Sequence, residues 1–248
     1  MEKDAYLGEV LLTEFDGIRF GDDHPFTYLG AKRALKLAMR ELRKRTDLRK
    51  FGIETTDPGR KAITGSQGDA VWDLIRLKAF GENSRFTAAP HLTLVIELRR
   101  VLAIVSVPNG VAREMRTRLI ELGADGFADL SRRVGRNIER VVRRFKGAYP
   151  FMALSQRHFL SQNSPSIKDA RLEFDLRTID GSKSARVKQQ PEWINAAYAA
   201  LKRKRSNIHA EWGAVLQYQE PKMHSEKVLD VIAETWMACR PLLNTMLG

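Results

Sequence analysis

Basic side chains recur at every fourth position in two separate stretches of the chain. The two rows consist of Arg132, Arg136, Arg140 and Arg144, and of Lys32, Lys36, Arg40 and Lys44. Residues four apart are neighbours on a helix surface, where like charges destabilise the helix by about 0.2–0.5 kcal/mol per pair. A row of phosphate groups would relieve this repulsion, so the spacing predicts two helices that bind the backbone of a nucleic acid.

The arginine row belongs to a strongly amphipathic segment from about Phe127 to Phe145. At 100° per residue its apolar side chains share an arc of about 120°, and the arginines, with Arg143 beside the row, lie on the opposite side. The apolar arc predicts a core helix, whereas planar guanidinium groups are suited to bidentate phosphate contacts. Gly135 borders the basic arc and is expected to allow close approach of a backbone or a neighbouring helix.

The lysine row has the same construction, on a helix predicted from about Tyr28 to Thr46. Leu35, Met39 and Leu42 form its apolar side. Phosphate contacts position a protein without reading bases, so the sequence predicts a DNA- or RNA-binding protein of low or shape-based specificity. We expect it to be a non-catalytic subunit of a nucleoprotein assembly, with other protein subunits as further partners.

The charge of the chain is strongly positive and unevenly distributed. The net charge is +12 and the pI is near 10.0. Residues 27–50 contain nine basic and two acidic side chains, whereas residues 1–26 contain two basic and seven acidic ones. Such asymmetry is typical of an electrostatic face for a polyanion. A basic face can also dock an acidic protein, so a protein-interaction subunit is an alternative function.

Three carboxylates on predicted strands offer a different chemistry. They are Glu97, Glu173 and Asp175, and Glu97 begins an E-x-R pattern that is similar to the E-x-K of many nucleases. Carboxylates from two strands that share Mg²⁺ or Mn²⁺ would make a metal-dependent nuclease. Glu173 and Asp175 also alternate with Arg171 and Arg177, however, which is typical of a solvated strand face with ion pairs. Binding without catalysis is therefore the leading hypothesis, and the nuclease is an alternative.

Other signals narrow the class of protein. The sequence has no P-loop, no G-x-G-x-x-G and no histidine or cysteine spacing typical of zinc. No cofactor is expected apart from the Mg²⁺ or Mn²⁺ of the nuclease alternative. The single cysteine, Cys239, falls in an apolar helical row, which predicts a buried thiol in a reducing compartment. The chain shows neither a signal segment nor an apolar run of about 18 residues, so a cytoplasmic protein with no membrane partner is expected.

The elements that must position these residues point to an α+β fold. We predict an antiparallel sheet of about four to six strands, packed on one face by amphipathic helices. Besides the basic helices, helices are expected at about 69–80, 111–122, 191–205 and 225–240, and strands at about 6–15, 91–98, 100–107, 170–179 and 210–219. A single domain over residues 1–248 is expected, with segment 162–168 as the place where two lobes could divide.

Overall fold

The computed structural model describes residues 29–60, 62–64, 70–81, 86–97, 100–109, 111, 113–159, 166–180, 191–202, 208–217 and 227–248. Within these ranges the helices are α1 (Leu29–Lys44), α2 (Thr46–Phe51), α3 (Arg113–Glu121), α4 (Gly123–Val142), α5 (Pro191–Lys202), α6 (Lys227–Ala238) and α7 (Arg240–Leu247). The strands are β1 (Ile63–Thr64), β2 (Ala70–Arg76), β3 (His91–Glu97), β4 (Arg100–Val107), β5 (Tyr149–Phe159), β6 (Ser166–Asp175) and β7 (Ile208–Gln217). Two 3₁₀ helices cover Lys78–Phe80 and Leu176–Asp180.

All of the described strands belong to one antiparallel sheet, in the order β1-β2-β3-β4-β7-β5-β6. The predicted α+β fold is therefore confirmed. The sheet has seven described strands, one more than the predicted four to six, because the two-residue strand β1 lies at one edge. β7 lies between β4 and β5, so a strand from late in the chain occupies the middle of the sheet. Segment 162–168 overlaps β6, which begins at Ser166 and pairs directly with β5.

The helices pack on one face of the sheet, as predicted. α4 buries Phe127, Val134 and Ile138 in the main core, where Trp212 of β7 also lies. α6 packs beside α4, and α1 lies over β2 at the other end of the sheet. Full burial of each large apolar side chain contributes about 1.5–3 kcal/mol, so this helical layer supplies most of the hydrophobic stabilisation.

The opposite face of the sheet has its own, smaller buried cluster. It contains Leu102, Ile104, Phe151, Ala153 and Val215, which come from β4, β5 and β7. These residues alternate along each strand with members of the main core, because successive strand side chains point to opposite faces. The three central strands are therefore buried on both sides.

Several sequence-based predictions of elements are wrong. The segment expected to be a helix at 69–80 forms strand β2 and a 3₁₀ helix instead. β2 is largely buried on both faces, so it shows no polar alternation, and Asp73 lies fully buried on its helix-facing side. Strand β5 and the short helices α2 and α7 were not predicted. The strand expected at 6–15 lies outside the described residues.

Gly135 marks a close contact inside the fold. A Cβ atom at this position would lie 2.9 Å from the Cβ of Leu176, in the second 3₁₀ helix. The expected close approach is confirmed, and the neighbour is this 3₁₀ helix.

Cys239 is completely buried at the end of α6, as predicted. Burial raises the pKa of its thiol well above the usual range. The thiol donates a weak hydrogen bond to the carbonyl oxygen of Trp212 at 3.8 Å, so Cys239 acts as a core residue.

Candidate nucleic-acid interface

The arginine row lies on the side of α4 that faces away from the core. The buried side chains of this helix lie on one side, and Arg136 and Arg140 are exposed on the other. Arg143 follows the last residue of α4 with helical backbone angles, so it continues the exposed row. The predicted amphipathic division of this helix is therefore confirmed, although the helix begins four residues earlier than expected.

Members of the row differ in the partners that they already have. Arg132 donates to Asp129 at 2.5 Å, and Arg140 donates to the side-chain oxygen of Asn137. Arg144 donates to Glu234 of α6 at 2.8 Å, so this arginine is held against a neighbouring helix. A phosphate at Arg132 or Arg144 would have to compete with a carboxylate of the protein.

Arg133 and Arg143 are the least encumbered arginines of this surface. Both are exposed. Within the described part of the chain, neither guanidinium group takes part in a hydrogen bond or an ion pair. We define the arginine surface as the four exposed side chains Arg133, Arg136, Arg140 and Arg143. Arg133 was not among the sequence-based candidates, although it lies on the same side of the helix as they do.

The lysine row on α1 is not a single exposed surface. The Lys36 side chain is only 12% exposed, and its Nζ lies 2.5 Å from Asp57 and 3.8 Å from the buried Asp73. Arg40 donates to the same Asp57 at 2.8 Å. Burial alone would raise the pKa of Asp57, but the hydrogen bonds from Lys36 and Arg40 hold it well below its usual range. Lys36 is therefore an ion-pair partner inside the fold, where Asp57 already neutralises its charge.

The remaining members of the lysine row give a weaker surface than the arginines. Lys32 is partly buried, whereas Arg40 and Lys44 are exposed. Lys44 is paired with Glu41 at 2.6 Å. Each exposed cation of this row thus has an acidic neighbour within the protein, so its net attraction for phosphate is smaller.

Helix α6 separates the two basic rows. It packs against both α1 and α4 and bears Asp230 and Glu234 one turn apart. Asp230 accepts a hydrogen bond from Arg45, which follows α1, at 2.7 Å. Glu234 accepts one from Arg144 at the end of α4. Two carboxylates therefore lie between the rows, so the two rows do not form one continuous basic surface.

The carboxylates of the nuclease alternative lie on the sheet face opposite the helices, where arginines hold them. Arg100 donates to Glu97 at 2.5 Å and to Glu173 at 2.5 Å, so one guanidinium group joins β3 and β6. Asp175 is bound in the same way by Arg177 at 2.5 Å. The structure therefore brings Glu97 and Glu173 together, but a cation of the protein occupies the space between them.

The electrostatics of this face support a structural role for its charges. Burial alone would raise the pKa of Glu173, but Arg100 and Arg171 outweigh burial and hold it below its usual value. Arg171 also reaches Glu211 of β7 at 3.2 Å and donates to Ser155 at 3.0 Å. Across the described ranges, no group of three or more acidic, histidine or cysteine side chains is arranged to hold a metal ion. Glu97, Glu173 and Asp175 are therefore partners of arginines in ion pairs on this face.

Glu211 should make the protein acid-sensitive. Burial alone would raise its pKa, but His209 and Arg171 lower it to about 2. A carboxyl whose folded pKa is depressed stabilises the protein above its unfolded pKa of about 4.3, and this contribution disappears as the pH falls through the folded value. We expect Glu211→Gln to have a lower free energy of unfolding than the wild type at pH 7. Between pH 5 and pH 2 the free energy of unfolding should fall in both proteins, but the fall should be smaller in the variant by up to about 3 kcal/mol.

Urea unfolding midpoints at several pH values measure this difference. Glu114→Gln, which changes an exposed carboxylate on α3, should show the same pH dependence as the wild type. Parallel curves for the wild type and Glu211→Gln would contradict the expected role of Glu211.

Comparison of the sequence with protein-family models and with curated proteins finds no significant match. Among the described helices, none is long and apolar enough to cross a membrane.

Sequence reasoning missed the residues that are paired inside the fold. Arg43 is 4% exposed and donates to the carbonyl of Leu74 at 2.9 Å, although it directly precedes Lys44 of the lysine row. The sequence does indicate that these two cations are near the core. Lys36 and Arg43 lie three and four residues from the buried Met39 and are therefore its neighbours on the helix surface. Their spacing to an apolar residue was more informative than their spacing to other cations.

Proposed function

We propose that the protein binds nucleic acid through the arginine surface of α4. The observation that carries this proposal is the set of four exposed guanidinium groups on one side of a rigidly packed helix. Two of them, Arg133 and Arg143, have no counter-ion within the described residues. A phosphate backbone would supply the missing negative charge, and guanidinium groups bind phosphate through two parallel hydrogen bonds.

Contacts of this kind position a nucleic acid without reading its sequence. We therefore propose binding of low or shape-based specificity, by a non-catalytic subunit of a nucleoprotein assembly, to DNA or RNA. The exposed Arg40 and Lys44 of α1 would form, at most, a separate and weaker contact, because Asp57 and Glu41 already neutralise them in part.

Charge reversal on the arginine surface tests the proposal. Arg133→Glu combined with Arg143→Glu removes two cations that pair with no carboxylate among the described residues, so the fold should not be disturbed. We expect affinity for a short DNA or RNA duplex to fall at least about tenfold, equally for all sequences, and the slope of log affinity against log salt to decrease by about 2. Fluorescence anisotropy over a range of salt concentrations measures both quantities.

The matched control changes the same total charge elsewhere. Lys50 and Lys202 are exposed, on α2 and at the end of α5, and Lys50→Glu with Lys202→Glu should reduce affinity far less. An equal loss in both double variants, or affinity that does not change with salt, would contradict the proposal. The ratio of absorbance at 260 and 280 nm separates the other function: an acidic protein that co-purifies without nucleic acid would indicate a protein-interaction subunit.

A further inference from the structure

A cationic cavity of about 460 Å³ lies at the opposite end of the sheet from β6. Its walls come from the end of α1, the loop that follows α2, strand β2 and the first 3₁₀ helix. A volume of this size falls within the range of about 300–1,000 Å³ that is usual for small-molecule sites. The arginine surface of α4 contributes no residue to it.

Four cationic side chains and one carboxylate line this cavity. They are Arg43, Arg60, Arg76, Lys78 and Glu54. Such an excess of positive charge in a concave site focuses the electrostatic field and attracts anions.

Arg43 is the most deeply buried of these cations. Its side chain is almost completely buried, and its Nη2 donates a hydrogen bond to the carbonyl oxygen of Leu74. The Nη1 atom is buried and donates to no group of the residues that the structure describes. Arginine keeps its charge even when it is buried, so a donor without an acceptor is energetically unfavourable there. An anion in the cavity would accept this hydrogen bond.

The neighbouring charges do not remove the positive excess. Arg60 is bound to Asp73 at 2.6 Å, which neutralises that pair. Arg76 is 3.7 Å from Glu54, too far for a direct hydrogen bond, and its buried Nε has no acceptor among the described residues. Lys78 is exposed and makes no ion pair within the described ranges. Asp57, which lies near this end of α1, is already bound by Lys36 and Arg40.

Two further features of the lining indicate what the rest of the ligand contains. The Oε1 atom of Glu54 is buried and accepts no hydrogen bond within the described part of the chain, so it could accept one from a ligand hydroxyl group. Phe86 is 38% exposed, and edge contacts with Trp72 and His91, at centroid distances of 6.1 and 6.3 Å, hold its ring in place. An exposed, supported aromatic ring can pack against a flat ring of a ligand.

We propose that this cavity binds a phosphorylated small molecule with the chemistry of a nucleotide. Arg43, Arg76 and Lys78 bind its phosphate group, Glu54 accepts a hydrogen bond from a hydroxyl group, and Phe86 packs against its aromatic ring. This site is distinct from the arginine surface and goes beyond the proposed binding of nucleic acid.

Isothermal titration of the full chain with adenosine monophosphate, and with adenosine as the probe that lacks phosphate, tests this proposal. We expect the monophosphate to bind and adenosine to bind at least tenfold more weakly. Lys78→Met should weaken binding of the monophosphate about fivefold or more, because an exposed side chain can be changed without unfolding the protein. Arg43→Met should abolish binding, with the circular dichroism spectrum as the check of its fold.

Lys50→Met is the matched control, because it removes an exposed lysine outside the cavity, and it should leave binding unchanged. Equal affinity for adenosine and its monophosphate, no binding of either at millimolar concentration, or equal effects of Lys78→Met and Lys50→Met would overturn the proposal. Nucleic-acid binding separates the two sites. Arg133→Glu with Arg143→Glu should leave the titration with monophosphate unchanged, whereas a loss of duplex binding in Lys78→Met would show that the cavity belongs to the nucleic-acid surface instead.

Discussion

Replacing Gly213 by alanine should lower the free energy of unfolding by about 3 kcal/mol or more. Gly213 lies in β7, the strand between β4 and β5. A Cβ atom there would lie 2.1 Å from the carbonyl oxygen of Ala103 and 2.8 Å from the Cα of Ile104. Both are backbone atoms of β4, so the clash can be relieved only if two central strands move apart. The loss of ladder hydrogen bonds and of packing on both faces would follow.

Urea denaturation of Gly213→Ala and the wild type measures this effect, and Gly135→Ala is the comparison. At Gly135 the added Cβ would lie 2.9 Å from the Cβ of Leu176, so the second 3₁₀ helix must move slightly, but the alanine has a higher helix propensity by about 1 kcal/mol, which offsets part of this cost. We expect the change at Gly135 to be less than half of that at Gly213. Similar values at the two positions would show that the sheet can relax around β7 as easily as the 3₁₀ helix relaxes around α4.

Removing the guanidinium group of Arg100 should also lower the free energy of unfolding strongly. Arg100→Met would leave Glu97 and Glu173 on neighbouring parts of a partly buried face without the cation that they share. Breaking such a pair from one side destabilises a protein by about 3–5 kcal/mol, and partial exposure of the group places the expected loss near 3 kcal/mol. The loss should be largest at neutral pH, because the lowered pKa of Glu173 keeps that carboxylate charged there.

The pH dependence distinguishes this ion-pair effect from a simple loss of packing. In the wild type the depressed pKa of Glu173 stabilises the fold above the unfolded pKa, and that contribution is lost on acidification. The deficit of Arg100→Met should therefore shrink between pH 7 and pH 4. Arg116→Met is the control, because Arg116 donates to the carbonyl of Leu201 and burial alone lowers its pKa. A deficit of Arg100→Met that stays constant with pH, like that of the control, would contradict this explanation.

The helix that carries the arginine surface could be predicted because its two sides obey one local rule. Apolar residues at helical spacing bury α4, and the cations between them must face outward. The same rule did not predict that Lys36 and Arg43 are buried, because both border the apolar side of α1. Whether a long cationic side chain reaches water there depends on Asp57, Asp73 and the carbonyl of Leu74. These partners lie on other elements and cannot be inferred from helical spacing.

The sheet was harder to predict than the helices. β5 begins at Tyr149 with a proline as its second residue, and proline close to the start of a strand is tolerated although it usually signals a break. The ion pair between Arg100 and Glu173 joins residues 73 positions apart. It depends on the insertion of β7 and β5 between β4 and β6, which only the tertiary structure determines.

The acidic residues of α6 have a consequence for the length of nucleic acid that one molecule can cover. Asp230 and Glu234 confine the proposed contact to α4, where Arg133 and Arg143 are ten residues, or about 15 Å, apart. At 3.4 Å per base pair this corresponds to about four to five base pairs of duplex. A footprint of this size supplies few phosphate contacts, so we expect strong binding to require several copies of the protein on the same strand.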